Sequence, residues 1–334
     1  MTYFDELSSA TLAAGGNQAV CFPEGEQVGR VYYRVFAGGT YRYSLLFADT
    51  IDSTFADGSL SRAGDVCGDW EVTHLALGVC REVGGEPTVA LTIGGAPSHT
   101  VSAGEVFATD PVELSAEAGD YLCVEIGFRG EKVPCHLETQ IPVFRREEDA
   151  FVPCPEVPLP SMVGCDRPVA RRVGYLGDSI TQGIGVAPNS YEHWNALLSE
   201  ALGRQYAYHN LGLGFGRAAD AAKDGAWLAK AKQNDVVTVC FGVNDLGRGR
   251  TVDEIVHDLA FIVERLKDAG CRVLLQSVPP FTYTPEKHAM WETVNRRLAA
   301  EVAPMADAFF DVVPILGEDA SRYGGHPNEA GCHA

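Results

Sequence analysis

Up to about residue 150, apolar positions come in short runs separated by Gly, Asp and Pro, with no long helical period. Val31-Tyr32-Tyr33-Arg34-Val35 and Tyr41-Arg42-Tyr43-Ser44-Leu45-Leu46-Phe47 flank Ala37-Gly38-Gly39-Thr40, an arrangement that predicts a hairpin. Further strands are predicted over residues 71–77, 88–93, 121–126 and 136–143. Such a series predicts an all-β sandwich, with jelly-roll and immunoglobulin-like versions both open. Trp70, Tyr33, Tyr41 and Tyr43 could stack on a sugar, although aromatics in a sandwich more often belong to its core.

Pro153, Pro155, Pro158, Pro160 and Pro168 then interrupt the chain. Proline removes the donor that a ladder or a helix interior needs, so residues 151–170 are expected to form a stiff linker between domains over 1–150 and 171–334. Beyond it the period changes. Residues 172–177 form an apolar strand, and 191–202 a helix with Trp194, Leu197, Leu198 and Leu202 at spacings of three and four. A strand over 206–211, an alanine-rich helix over 217–232 and a buried-type strand over 235–241 come next. Residues 252–269 form a helix with Ile255, Leu259, Ile262, Val263 and Leu266 on one face. A strand over 271–278, a helix over 286–302 and a strand over 308–313 complete the alternation. Strand alternating with helix predicts a parallel sheet covered on both faces.

The formal charge of −19, from 26 Lys and Arg against 45 Asp and Glu, disfavours nucleic acid and anionic membranes as partners. No stretch approaches the roughly 18 uninterrupted apolar residues of a membrane span. Met1 to Leu7 shows no basic segment leading into an apolar run, so no secretory leader is expected. The ten cysteines include no CxxC pair and no Cys/His set with zinc-ligand spacing, which points to reduced thiols in the cytoplasm and to no metal.

In an open α/β sheet, reactive groups gather at the carboxyl ends of the strands. Ser179 follows the first strand, Gly212 to Gly216 the second, Gly242-Val243-Asn244-Asp245 the third, and His326 comes after the last. A serine becomes a nucleophile when a base takes its proton, and histidine is that base near neutral pH. The resulting oxyanion needs fixed donors. The Asn244 amide, the N–H groups around Gly214 and the N–H of Ser179 are the candidates. Asp178 and Asp245 read as structural, Asp245 as a helix cap. Arg217 could reach an anionic substrate from the second loop but reads first as a solvated residue at a helix start, and His193, His209 and His288 read as structural. Phe281 and Tyr283, beyond a strand end, could line an acyl or sugar pocket.

Gly177-Asp178-Ser179-Ile180-Thr181, the Gly-rich turn after Asn210, Gly242-Val243-Asn244-Asp245 and His326-Pro327-Asn328 together resemble the four blocks of the SGNH/GDSL hydrolase superfamily, in the family's order, over roughly residues 171–332. The resemblance implies a flavodoxin-like three-layer α/β/α hydrolase domain behind a jelly-roll-like all-β sandwich. It implies Ser179 as nucleophile, His326 as base, and an oxyanion hole from Ser179, Asn244 and Gly214 or Gly216. It implies no cofactor. Two positions depart from the family. The usual middle glycine, five residues after Asn210, is Phe215 here, and the usual acid, three residues before His326, is Tyr323. Asp319 is the nearest alternative acid; a backbone carbonyl on the second imidazole nitrogen would instead give a Ser-His dyad. The layout resembles that of carbohydrate esterases with a β-sandwich ahead of the SGNH domain. The expected substrate is a small-molecule or oligosaccharide ester carrying a small acyl group, with a lipid or thioester acylhydrolase and a degenerate carbohydrate-binding protein as alternatives. Carbohydrate binding, a homo-oligomer contact and forming one wall of the active site are the roles open to the first domain.

Overall fold

The computed structural model describes residues 7–54 and 64–334; residues 1–6, read above for a leader, lie outside them. The chain divides into two compact units, residues 1–170 and 171–334.

The first unit is antiparallel. One sheet runs in the order Ala150–Pro153, Val143–Glu147, Gln27–Arg34, Tyr121–Gly130, Trp70–Cys80, Val89–Leu91, with His99–Val101 also paired to Trp70–Cys80. The other runs Ser8–Ser9, Met162–Cys165, Gly39–Ala48, Val106–Ala108, with Val112–Ala116 also on Gly39–Ala48. Val31 and Tyr33 from the first sheet and Tyr43, Leu45 and Phe47 from the second share one buried core, which makes the unit a β-sandwich.

Three expectations are corrected here. The runs around Tyr33 and Tyr43 do not form a hairpin, because Gln27–Arg34 and Gly39–Ala48 lie in different sheets. The link between them crosses the sandwich, and a Cβ on Gly38 would stand 2.8 Å from Ala118 N. Alternation says that one face is buried but not which neighbour pairs. Residues 136–143 are not one strand; Val133–His136 ends where that run was expected to begin, and the next strand opens at Val143. Nor are residues 151–170 a stiff linker between the units. Ala150–Pro153 and Met162–Cys165 pair with sheet strands, while Val157 and Leu159 are buried in the core. Pro155, Pro158 and Pro160 fall between those strands, and Pro153 ends an edge strand, where its missing N–H costs no ladder bond.

The second unit is built on five parallel strands: β1 (Arg171–Gly177), β2 (Tyr206–Gly212), β3 (Val236–Cys240), β4 (Arg272–Gln276) and β5 (Ala308–Phe310), in the order β2-β1-β3-β4-β5. The helices are α1 (Ser179–Gln182), α2 (Trp194–Leu202), α3 (Ala218–Ala221), α4 (Ala226–Ala231), α5 (Val243–Gly247), α6 (Val252–Asp268), α7 (Pro285–Arg297), α8 (Val313–Leu316) and α9 (Glu329–His333). In α6, Ile255, Leu259, Ile262, Val263 and Leu266 are all buried, as their spacing predicts. Thr251 and Glu254 close its first turn as a capping box. The alanine-rich run is two helices rather than one, broken at Asp224, whose φ is +54°, and Gly225. The later helix stops at Arg297 and passes into a π-turn over Leu298–Val302. Strand order reverses between β1 and its two neighbours, which opens a crevice at their carboxyl ends.

Glycine at the end of β2 is what lets α1 lie on the sheet. A Cβ on Gly212 would stand 2.1 Å from the backbone nitrogen of Gln182, which cannot step aside. Gly212→Ala is therefore expected to cost about 2–3 kcal/mol or more, read as a lowered urea midpoint for the second unit.

Candidate active site

Ser179 is the first residue of α1, directly beyond β1. Asp178 caps that turn, its Oδ1 accepting the Ile180 N–H at 2.9 Å. Gly183, at φ +113°, ends it by donating to Ser179 O at 3.1 Å. The turn is held from outside as well. Asn195 Nδ2 donates to Thr181 O at 2.6 Å, and Gly212 N–H donates to Asn210 Oδ1 at 3.0 Å. A Cβ on Gly177 would collide with Thr181 Oγ1 and Cys240 O, at 2.1 and 2.7 Å. Motif reading missed Asn195, because nothing in a helical run marks one asparagine as the partner of a distant carbonyl.

His326 lies in the loop before α9, and its Nε2 stands 2.8 Å from Ser179 Oγ. Two residues 147 positions apart thus share one hydrogen bond. The imidazole packs edge-on against Phe281, with ring centroids 5.7 Å apart and planes at 81°. Gly185 and Gly325 allow this packing. A Cβ on Gly185 would stand 3.0 Å from His326 Cβ, and one on Gly325 would stand 2.8 Å from the Phe281 ring. Asn328 caps α9 through Gly331 N–H at 3.0 Å, which fixes the loop's far end.

Asp319 does not reach His326. Its exposed carboxylate accepts the Ser321 N–H at 2.9 Å and is held below its ordinary range by Ser321. Among the described residues, Ser179 is the only hydrogen-bond partner of His326, so neither a carboxylate nor a carbonyl sits on Nδ1. Burial alone acts on the imidazole and lowers its pKa from 6.5.

Asn244 lies in the first turn of α5 behind Gly242, whose φ is +124° and at which a Cβ would stand 2.5 Å from Val278 Cγ2, leaving no room for a side chain. Asn244 Nδ2 donates to Gly216 O at 3.0 Å, which ties the third loop to the second. Gly216 N–H in turn donates to Leu213 O at 3.1 Å. Gly216 thus spends its N–H inside the Leu213–Gly216 turn, in which Gly214 is also buried.

Asp245 caps a helix, but the helix is α3 from the previous loop: its carboxylate accepts Ala218 and Ala219 N–H at 2.9 and 3.4 Å. Burial pushes Asp245 up to about 6 and Asp178 up to about 7, the neighbouring Asp245 adding to the latter. Arg217 is turned to Asp220, at 2.7 Å, rather than to the crevice. His193 bonds Asn195, His288 bonds Glu318 O, and Tyr283 packs against Phe281 and Trp291. In the first unit, Trp70, Tyr33 and Tyr43 are buried, and Tyr41 bonds Gly38 O at 3.3 Å; these aromatics belong to packing. Among the described residues, no group of three His, Cys, Asp or Glu side chains could hold a metal, and no helix is long and apolar enough to cross a membrane. All ten cysteines are free.

A hydroxyl hydrogen-bonded to a neutral imidazole can release its proton to Nε2 as it attacks a carbonyl. Residues 175–334 match the model of the GDSL-like Lipase/Acylhydrolase family. They form a GDSL-like lipase/acylhydrolase domain. This half of the chain is accordingly that of a carboxylic ester hydrolase. A lipolytic G-D-S-L protein from Veillonella parvula is 20% identical, over 48% of this chain and 92% of its own, with a TM-score of 0.42. The esterase EstA from a Pseudoalteromonas species is 19% identical, over 48% and 90%, with a TM-score of 0.39. A family two carbohydrate esterase from Clostridium thermocellum, solved with cellohexaose, is 14% identical over 98% of this chain and 94% of its own, with a TM-score of 0.41. A sequence search of curated proteins matches nothing.

The buried groups of this GDSL-like domain set its pH behaviour. With no carboxylate to raise it, His326 stays neutral below pH 6.5, so the acid limb of kcat/KM is expected below that value in a pH–rate profile. Asp178 works in the opposite sense. Between its ordinary 3.8 and about 7, the folded chain keeps a proton that the unfolded chain has lost, so stability falls as pH rises through that window. Asp178→Asn keeps the cap and removes this fall. Its thermal midpoint, relative to wild type, should rise between pH 4.5 and 7.5.

Proposed function

We propose that the protein is a serine esterase that removes small acyl groups, O-acetyl groups on carbohydrate, through a Ser179–His326 dyad. The single observation that supports the mechanism is the 2.8 Å contact between Ser179 Oγ and His326 Nε2. The sugar ester as substrate is supported by the β-sandwich ahead of the hydrolase unit, a layout that resembles that of some carbohydrate esterases.

Ser179 Oγ attacks the acyl carbon while its proton passes to Nε2 of His326. Negative charge collects on the former carbonyl oxygen. Asn244 Nδ2 carries two hydrogens and gives one to Gly216 O, so the second is available to the oxyanion, beside the Ser179 N–H. Collapse of the intermediate releases the alcohol, which takes the proton back from His326, and leaves an acyl-serine. A water then attacks, gives its proton to His326 and repeats the sequence with Ser179 as the leaving group. In this scheme the edge-on Phe281 ring and Gly185 orient the imidazole, in place of an acid.

Ser179→Ala is expected to lower kcat/KM on p-nitrophenyl acetate by at least about 10³-fold. Asp319→Ala, by contrast, should change it less than about twofold, whereas losing a true triad acid costs about 10⁴-fold. In a series from acetate to decanoate the shortest ester should be preferred. Best activity on decanoate would favour a lipid acylhydrolase instead, and failure to label with a fluorophosphonate would leave only a binding protein.

A further inference from the structure

Phe215 sits in the Leu213–Gly216 turn with φ +59°, the left-handed region where a side chain is unfavourable, although both its neighbours are glycine. The residue is 46% exposed. A strained aromatic held out in solvent calls for a use. The turn is anchored beside the nucleophile: a Cβ on Gly216 would stand 3.3 Å from Asp178 Cα, and Gly216 O takes the Asn244 amide. Arg248, from the loop that carries Asn244, places its Cζ 5.8 Å from the Phe215 ring centroid. Its backbone N–H is tied to Asn244 O at 2.9 Å. Nearby Arg217 pairs with Asp220, and Arg250 pairs with Glu254 and Asp258. Arg248 makes no ion pair or side-chain hydrogen bond among the described residues, in a chain with 45 acidic residues.

An acetyl group needs no such platform, but the alcohol it is attached to must lie outside the oxyanion donors. We propose that Phe215, braced by Arg248, is a specificity-determining subsite that stacks on the pyranose ring of the alcohol half of the ester. An aromatic face suits the apolar C–H face of a sugar, and the guanidinium offers donors to ring hydroxyls or an acidic substituent. The inference rests on the esterase reading above and adds the side from which the sugar is held.

Phe215→Gly is the informative variant, because glycine relaxes the left-handed backbone and so separates binding from folding. Wild type, Phe215→Gly and Arg248→Ala would be compared on methyl 6-O-acetyl-glucopyranoside and on ethyl acetate. The expected result is a roughly tenfold fall in the sugar-to-ethyl ratio of kcat/KM for Phe215→Gly, carried by KM. A smaller fall in the same direction is expected for Arg248→Ala, and a thermal midpoint for Phe215→Gly no lower than wild type. An unchanged ratio, with both esters hydrolysed, would overturn the subsite and leave the esterase standing. If wild type hydrolysed neither ester, the esterase reading itself would fall and the subsite with it.

Discussion

The candidate site depends on one steric constraint: the short turn that begins at Ser179 lies against the carboxyl ends of β1, β2 and β3 with no room for a side chain between them. Gly177 and Gly212 supply that room. A methyl group at the first would meet Thr181 and the Cys240 carbonyl, and at the second the backbone of Gln182. Interiors packed to crystal-like density do not absorb such intrusions. Once the turn is seated, its carbonyls and N–H groups are taken up by Asn195 and by Asp178, and the Ser179 hydroxyl is left aimed at the loop that carries His326.

The second feature is how the histidine is held. Its orientation comes from shape: an edge-on phenyl ring, two glycines that let the loop approach, and a capped helix beyond. A carboxylate would have oriented the ring and also raised its pKa; packing orients it and, through burial, lowers it. The acids near the site do other work. Asp178 and Asp245 are spent on helix starts, buried, and shifted towards neutrality. Neither carboxylate bonds Ser179 Oγ or His326.

Much of the second unit could be read from its sequence, and for a physical reason. Parallel strands buried on both faces and amphipathic helices carry strong, local periodicity, and α6 matches its pattern residue for residue. Breaks inside helical patterns were not legible, since Asp224 in a left-handed conformation looks like any surface aspartate. The first unit was read less well. Its strands are marked by alternation, yet partner choice depends on residues more than a hundred positions away, as when Met162–Cys165 pairs with Gly39–Ala48. The expected hairpin and linker failed for this same reason.

The sequence by itself determined which residues could be reactive and where along the fold they would fall, because motif glycines, a serine, an asparagine and a histidine each follow a strand end. It also showed that the acid was missing from its usual place. Only the tertiary structure decided what packs around His326, since Phe281 lies edge-on to it and Gly185 approaches it closely, and a packing surface leaves no spacing signature. The structure likewise decided that Gly216 spends its N–H within its own turn and that Phe215 is exposed. Hydrogen-bond partners and exposure are set by the whole fold, and no local pattern encodes them.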